Sequence, residues 1–141
     1  MSDRNAKLVQ ESVAAINETY RTGDMGPFRR HVERVCDPEV VLSAPDDAFT
    51  EGEWRGHVGA VDFVANQMEV LDDMWLRVDE FIEVDPQNLI AAVTFGGRAR
   101  YSGLDVELHP FHLLKMRDGR VLQWQIFLER ERALDAARRG G

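Results

Sequence analysis

The chain has 141 residues, 44% hydrophobic and 30% charged, a length and balance that suit one compact domain with a disulfide-free core. With 25 acidic against 17 basic residues the formal net charge is −8, which repels phosphate backbones and anionic lipid, so neither nucleic acid nor a membrane is expected as a partner. The single cysteine, Cys36, cannot bridge within the chain. No leader-like n- and h-region opens the sequence and no apolar run approaches the roughly 20 residues of a membrane span, so a cytoplasmic domain is expected.

In chain order, Val9, Val13, Ile16 and Tyr20 recur at helical spacing and predict a first helix ending at Thr22-Gly23. Asp24 is placed to cap a second helix with Pro27 in its first turn and Phe28, Val32 and Val35 as its apolar stripe, before Asp37-Pro38 stops it. Residues 39–44 read as a short strand and 45–53, with four acids, as a mobile surface loop able to gate a site. A third helix follows Arg55-Gly56-His57, with Ala60, Val64, Met68 and Leu71 on one side.

From Trp75 the period becomes two, with Leu76, Val78, Ile82 and Val84 expected on one face of a long strand. Asp85-Pro86-Gln87-Asn88 is turn chemistry, and a second strand from Leu89 is expected to bend or bulge at Gly96-Gly97. A third runs from about Leu104 to Met116, and Arg117-Asp118-Gly119 reads as a three-residue hairpin loop returning the chain through Val121 to Leu128. That loop sets His112 opposite Trp124 and Leu114 opposite Leu122, giving one nearly apolar face with His112 as its ionisable member. Residues 129–139 read as a short polar closing helix. Three helices on one side of a strongly curved antiparallel sheet, with a cavity between the layers, make an α+β domain.

The order of Gly23-Asp24, Asp37-Pro38, Trp54-Arg55-Gly56, Asp118-Gly119-Arg120-Val121 and Glu131-Arg132-Ala133-Leu134 resembles the SnoaL-like branch of the nuclear transport factor 2-like superfamily over nearly the whole chain. The resemblance implies a cone-shaped α+β barrel, commonly dimeric, with an apolar pocket between helices and sheet. Its members include polyketide cyclases, ketosteroid isomerases, epoxide hydrolases and dehydratases. It also implies where family side chains would fall. The isomerases' general-base aspartate corresponds to Ala44, and their oxyanion tyrosine lies near Ile16, one turn before Tyr20. The last-strand acid of cyclases and epoxide hydrolases corresponds to Ile126. His112 matches the cyclases' pocket histidine.

Fold does not transmit function, so the candidates are weighed as residues. An imidazole on an apolar wall titrates near neutrality and can donate to or accept from a carbonyl or hydroxyl, which makes His112 the catalytic candidate; the plain alternative is a core histidine satisfied by backbone. Glu107 and His109 form an acid/base pair on one strand face, and a bulge at Pro110 would bring His109 to the cavity beside His112. A solvated or dimer-facing edge is the reading favoured for them. Tyr20, Trp54, Phe63, Met68, Trp75 and Trp124 are candidates to line a site for a small hydrophobic molecule, with ordinary core packing as the alternative. Arg55 reads as an ion-pair partner, and His31 and His57 as surface or capping residues. No spacing supplies a third metal ligand, and neither metal nor cofactor is expected. Two functions stand side by side: acid/base isomerase, cyclase or dehydratase chemistry on a hydrophobic carbonyl compound, and a non-catalytic dimeric ligand-binding or scaffolding module. The homodimer expectation rests on the resemblance and on Phe111, Leu113 and Phe127 sitting among Gln123 and Gln125 on the other face of the last hairpin.

Overall fold

The computed structural model describes residues 3–44 and 52–139; the expected gating loop falls largely at 45–51, outside the described residues. Helix α1 (Asp3–Thr22) turns into α2 (Gly26–Val35) through Gly23, whose φ of +76° a residue without Cβ adopts freely. Asp24 Oδ1 accepts the Gly26 N–H at 2.8 Å ahead of the second helix, and Thr19 Oγ1 accepts the Phe28 N–H at 3.2 Å, fastening the two helices from inside. Strands β1 (Cys36–Ser43) and β2 (Glu53–Arg55) lead into α3 (Gly56–Val70). Then come β3 (Leu71–Asp85), β4 (Asn88–Ala99), β5 (Asp105–Leu108), β6 (Phe111–Arg117), β7 (Arg120–Phe127) and α4 (Arg130–Arg139).

The sheet runs β2-β1-β7-β6-β4-β3, with β5 also on β4. It is mixed rather than wholly antiparallel, because β1 pairs with β7 in parallel. Those two strands are far apart in sequence, so no hairpin dictates their direction. Helices α1–α3 bury Val9, Ile16, Phe28, Val32, Phe63 and Val64 against one sheet face, which contributes Leu42, Val93, Phe95, Leu114, Trp124 and Ile126. On edge strand β3, the side chain of Asn17 from α1 accepts the Leu76 N–H and donates to the Leu76 carbonyl, both at 2.8 Å, so those exposed ladder groups are covered.

Four expectations about the strands change. Register shifts along β3, one of them between Val78 and Glu80, add a residue that turns the following side chains over. Leu76, Val78 and Phe81 therefore pack on the helix side, while Ile82 and Val84 join the opposite cluster. The last hairpin turns on two residues: Arg117 pairs with Arg120, and Asp118 and Gly119 both have positive φ (53° and 78°), as a tight primed turn requires. A shift next to Lys115 then restores the faces, so that His112 opposes Ile126 and Leu114 opposes Trp124. His112, Leu114, Trp124 and Ile126 still share a face, with Val121 buried in place of Leu122.

The expected strand 104–116 divides at His109-Pro110, since proline has no N–H for the ladder; the Pro110 carbonyl instead accepts the Val93 N–H at 3.0 Å. Strand β4 runs unbroken through Gly96-Gly97, the irregularity opposite them falling on β3 between Asp72 and Trp75, and Gly96 serves close approach, since a Cβ there would run into the Trp75 ring. The closing helix is not merely polar. Ala133, Ala136 and Ala137 of α4 bury Ile90, Leu113 and Phe127 on the outer sheet face. Among the described residues no helix is long and apolar enough to cross a membrane.

Candidate functional site

Between the helices and the inner sheet face lies a cleft whose lining includes Ile16 and Tyr20 of α1, Phe63, Val64 and Gln67 of α3, and His112, Trp124 and Ile126 of the last hairpin. Its walls are overwhelmingly apolar, and its cavity volume is only about 40 Å³. A ring-sized ligand would therefore enter by displacing side chains rather than by filling a ready void. Two polar pairs interrupt the wall. Trp124 Nε1–H donates to His112 Nδ1 at 2.9 Å, with the rings 5.9 Å apart and tilted by 55°. Tyr20 Oη–H donates to Gln67 Oε1 at 3.2 Å. Trp124 is in turn held edge-on by Phe28 at 6.3 Å, and Tyr20 by Phe95 at 6.3 Å. No carboxylate, amine or guanidinium occurs among the described lining residues.

Over 97% of its length the chain matches an NTF2-like protein of unknown function from Burkholderia pseudomallei, at 21% identity over 98% of that chain with a TM-score of 0.75. TerC co-crystallised with polyporic acid matches at 22% identity over 96% of this chain and 98% of that one, TM-score 0.72. A protein with a ketosteroid isomerase-like fold from Catenulispora acidiphila, in complex with trimethylamine, matches at 10% identity over 92% and 91%, TM-score 0.70. This chain has the nuclear transport factor 2-like fold. No family model and no curated protein matches the sequence, and at these identities the likeness establishes the fold alone.

In this nuclear transport factor 2-like chain the eight side chains singled out from the sequence separate into two groups. Tyr20, Phe63, His112 and Trp124 lie along the cleft. Trp54, Met68, Trp75 and His109 are not among its lining residues. Trp54 packs edge-on against Phe63 at 6.0 Å, and its buried Nε1 meets no acceptor among the described residues. Met68 is half-buried against the main core. Trp75 is 39% exposed and lies under the Arg77 guanidinium at 5.6 Å. His109 stays on the outer face because β5 and β6 keep the same alternation across Pro110: Leu108, Pro110 and His112 reach the cleft, whereas His109 sits 3.4 Å from Glu107.

Outside the cleft, His109 Nδ1 also lies 3.1 Å from Thr94 Oγ1, which donates to Asp79 and receives Arg77 Nη2 at 3.2 Å. The Thr94 hydrogen bond and the Arg77 contact hold the Asp79 carboxyl below its ordinary range. Asp37 is likewise held down, first by the Glu39 N–H at 2.8 Å and then by Arg117. His31, expected at the surface, is 4% exposed between α1 and α2, with Nε2 2.6 Å from Ser12 Oγ and Nδ1 3.3 Å from an Arg34 nitrogen. Since Arg34 can only donate, Nδ1 accepts and Nε2–H donates to Ser12, whose own hydroxyl goes to the Leu8 carbonyl at 2.9 Å. Burial first, and then Arg34, lower the His31 pKa to about 4. Burial pushes the Cys36 thiol up to about 12, leaving it inert. His57 sits 3.0 Å from the Cys36 carbonyl, bridging α3 to β1. Among the described residues no three His, Cys, Asp or Glu side chains come together as a metal-ligand group.

The sequence reading missed Gln67 and Ser12. The partner of Tyr20 and the partner of His31 each come from a different helix, and helical periodicity assigns faces but not which faces meet.

Proposed function

We propose that this chain binds a small apolar carbonyl compound in the cleft, and that His112 acts on its oxygen in cofactor-free acid/base chemistry of the isomerase, cyclase or dehydratase kind. The observation that carries this reading is the His112 ring, set on an apolar wall and oriented by Trp124 at 2.9 Å. An imidazole so placed supplies general acid/base catalysis of about 10²–10⁴-fold. The compared structures holding polyporic acid and trimethylamine support small organic ligands for the fold. The sheet is open, with β2 and β3 as its edges, rather than closed into the strongly curved cone that the resemblance implies.

A non-catalytic ligand-binding module is the second reading, and a specific observation favours it. Ile16 and Ile126 line the cleft and Ala44 is fully buried, so the positions that the resemblance gives to a phenol and two acids are apolar here. Calorimetric titration with acetophenone tests the common part of both. Saturable binding to the wild type that is lost in a cleft-filling Ile16→Phe variant with retained circular dichroism supports a ligand site. Binding that Ile16→Phe leaves unchanged overturns it. Catalysis is then separated by His112→Ala: loss of turnover on a substrate the wild type converts supports the enzyme, and unchanged turnover leaves the module.

We further propose a homodimer formed across the part of the outer face that α4 leaves open. Of the apolar members of that face, Leu113 and Phe127 are buried and Phe111 is partly buried within the chain, so the interface would be mostly polar, built on Val41, Ser43, Gln123 and Gln125 of the adjoining β1 and β7.

A further inference from the structure

We infer that Gln67 is a specificity-determining residue of the cleft: its carboxamide N–H takes an acceptor oxygen from the helix side, so the ligand is an apolar compound with two separated oxygens, of the diketone or keto-ester class. This deepens the ligand-site reading above and rests on it.

Helix α3 buries Ala60, Phe63, Val64 and Gln67, the spacing of one helical face. A polar side chain is the exception in that stripe. Packing alone would be served by leucine or methionine, whose helix propensity is about that of glutamine. Gln67 is nevertheless only 8% exposed, and it lines the cleft.

Tyr20 of α1 accounts for part of this carboxamide and no more. The phenol donates to Oε1 at 3.2 Å, a use that needs one lone pair. The group also carries two N–H donors, and even with the carboxamide turned over, the single phenol oxygen would answer one of them at most. Either way an N–H is left over. No acceptor meets Nε2 among the described residues, and apart from Tyr20 and His112 the other lining side chains carry no acceptor at all. A buried donor facing hydrocarbon is costly, so a ligand that answers it is favoured over one of the same shape that does not.

Gln67 on α3 and His112 on β6 stand on opposite walls, because the cleft lies between the helices and the inner sheet face. The reading above gives one ligand oxygen to His112. Gln67 asks for a second one across the apolar body of the ligand.

The test is calorimetric titration of the full-length protein with 1,4-diacetylbenzene and 4-ethylacetophenone, two compounds of one shape that differ by a carbonyl in place of a methylene. The wild type is expected to bind the diketone roughly tenfold more tightly. Gln67→Met, which keeps the length of the side chain and removes its donors, is expected to bring the two affinities together by weakening the diketone alone. In the wild type, the Gln67 side-chain amide protons, assigned through their own backbone, are expected to move downfield as the diketone is added. A diketone bound no better than 4-ethylacetophenone, or a preference that Gln67→Met leaves intact, would overturn the inference while the ligand-site reading stands, as would amide protons that saturation with the diketone leaves unmoved. A wild type that binds neither compound would sink the ligand-site reading, and the inference with it.

Discussion

At the scale of single residues, the half-buried His112 and the buried His31 have opposite uses for their partners. His112 receives a hydrogen bond that orients it toward an apolar cleft, whereas His31 is locked between Ser12 and Arg34 with no cleft in front of it. Because the His31 pKa falls from 6.5 to about 4 on folding, the unfolded chain binds a proton that the native chain refuses. Its stabilising contribution is full above pH 6.5 and is lost progressively as the pH falls toward 4, amounting to about 3 kcal/mol over that window. Urea unfolding at pH 7.5 and pH 4.5 should show this loss in the wild type and much less of it in His31→Phe; equal losses would mean that other groups carry it. Both rings were visible as histidines in the sequence, but only the hairpin alternation separated them. His112 lies in a two-residue pattern that assigns its face, while His31 sits on a helix where the neighbour that buries it, Ser12, is 19 residues away.

Packing between elements decides two further outcomes. Gly59 lies in the first turns of α3, where alanine would favour the helix by about 1 kcal/mol. A Cβ there, however, would meet the backbone carbonyl carbon of Trp54 at 2.7 Å, and backbone cannot swing aside. Gly59→Ala is therefore expected to destabilise by about 1–3 kcal/mol in chemical denaturation, and a stabilised variant would contradict the close approach of α3 to β2. Asn17→Leu is expected to cost a similar ~1–3 kcal/mol, because the Leu76 N–H and carbonyl lose their side-chain partner on an edge strand. Faster amide exchange at Leu76 would locate the effect. The strand faces were legible only in part. Strand β3 changes sides between Val78 and Glu80, and strict alternation in the sequence hides such a one-residue shift. In the last hairpin the Asp118-Gly119 pair asked for a two-residue turn while the apolar pattern asked for a longer loop; a bulge beside Lys115 satisfies both.

For the whole molecule, the order of turns and helix stripes was enough to anticipate the α+β architecture and the fold it shares with proteins of at most 22% identity among those compared. The parallel β1–β7 pairing and the covering of the outer face by α4 were not legible, since both join segments distant in sequence that no local pattern ties together. The covering helix also narrows where a second copy would dock. Light scattering is expected to give twice the chain mass, and Val41→Arg to give the monomer mass with unchanged circular dichroism; a wild-type monomer would remove the dimer. The reading proposed for the cleft has the His112 ring meeting a ligand oxygen on an apolar wall. The infrared carbonyl stretch of ¹³C-labelled acetophenone bound to the protein tests it most directly. A stretch lowered relative to hexane solution, with the lowering lost in a His112→Leu variant that still binds the ketone, is the predicted result. A stretch equal to that in hexane, or one that His112→Leu leaves unchanged, would contradict it.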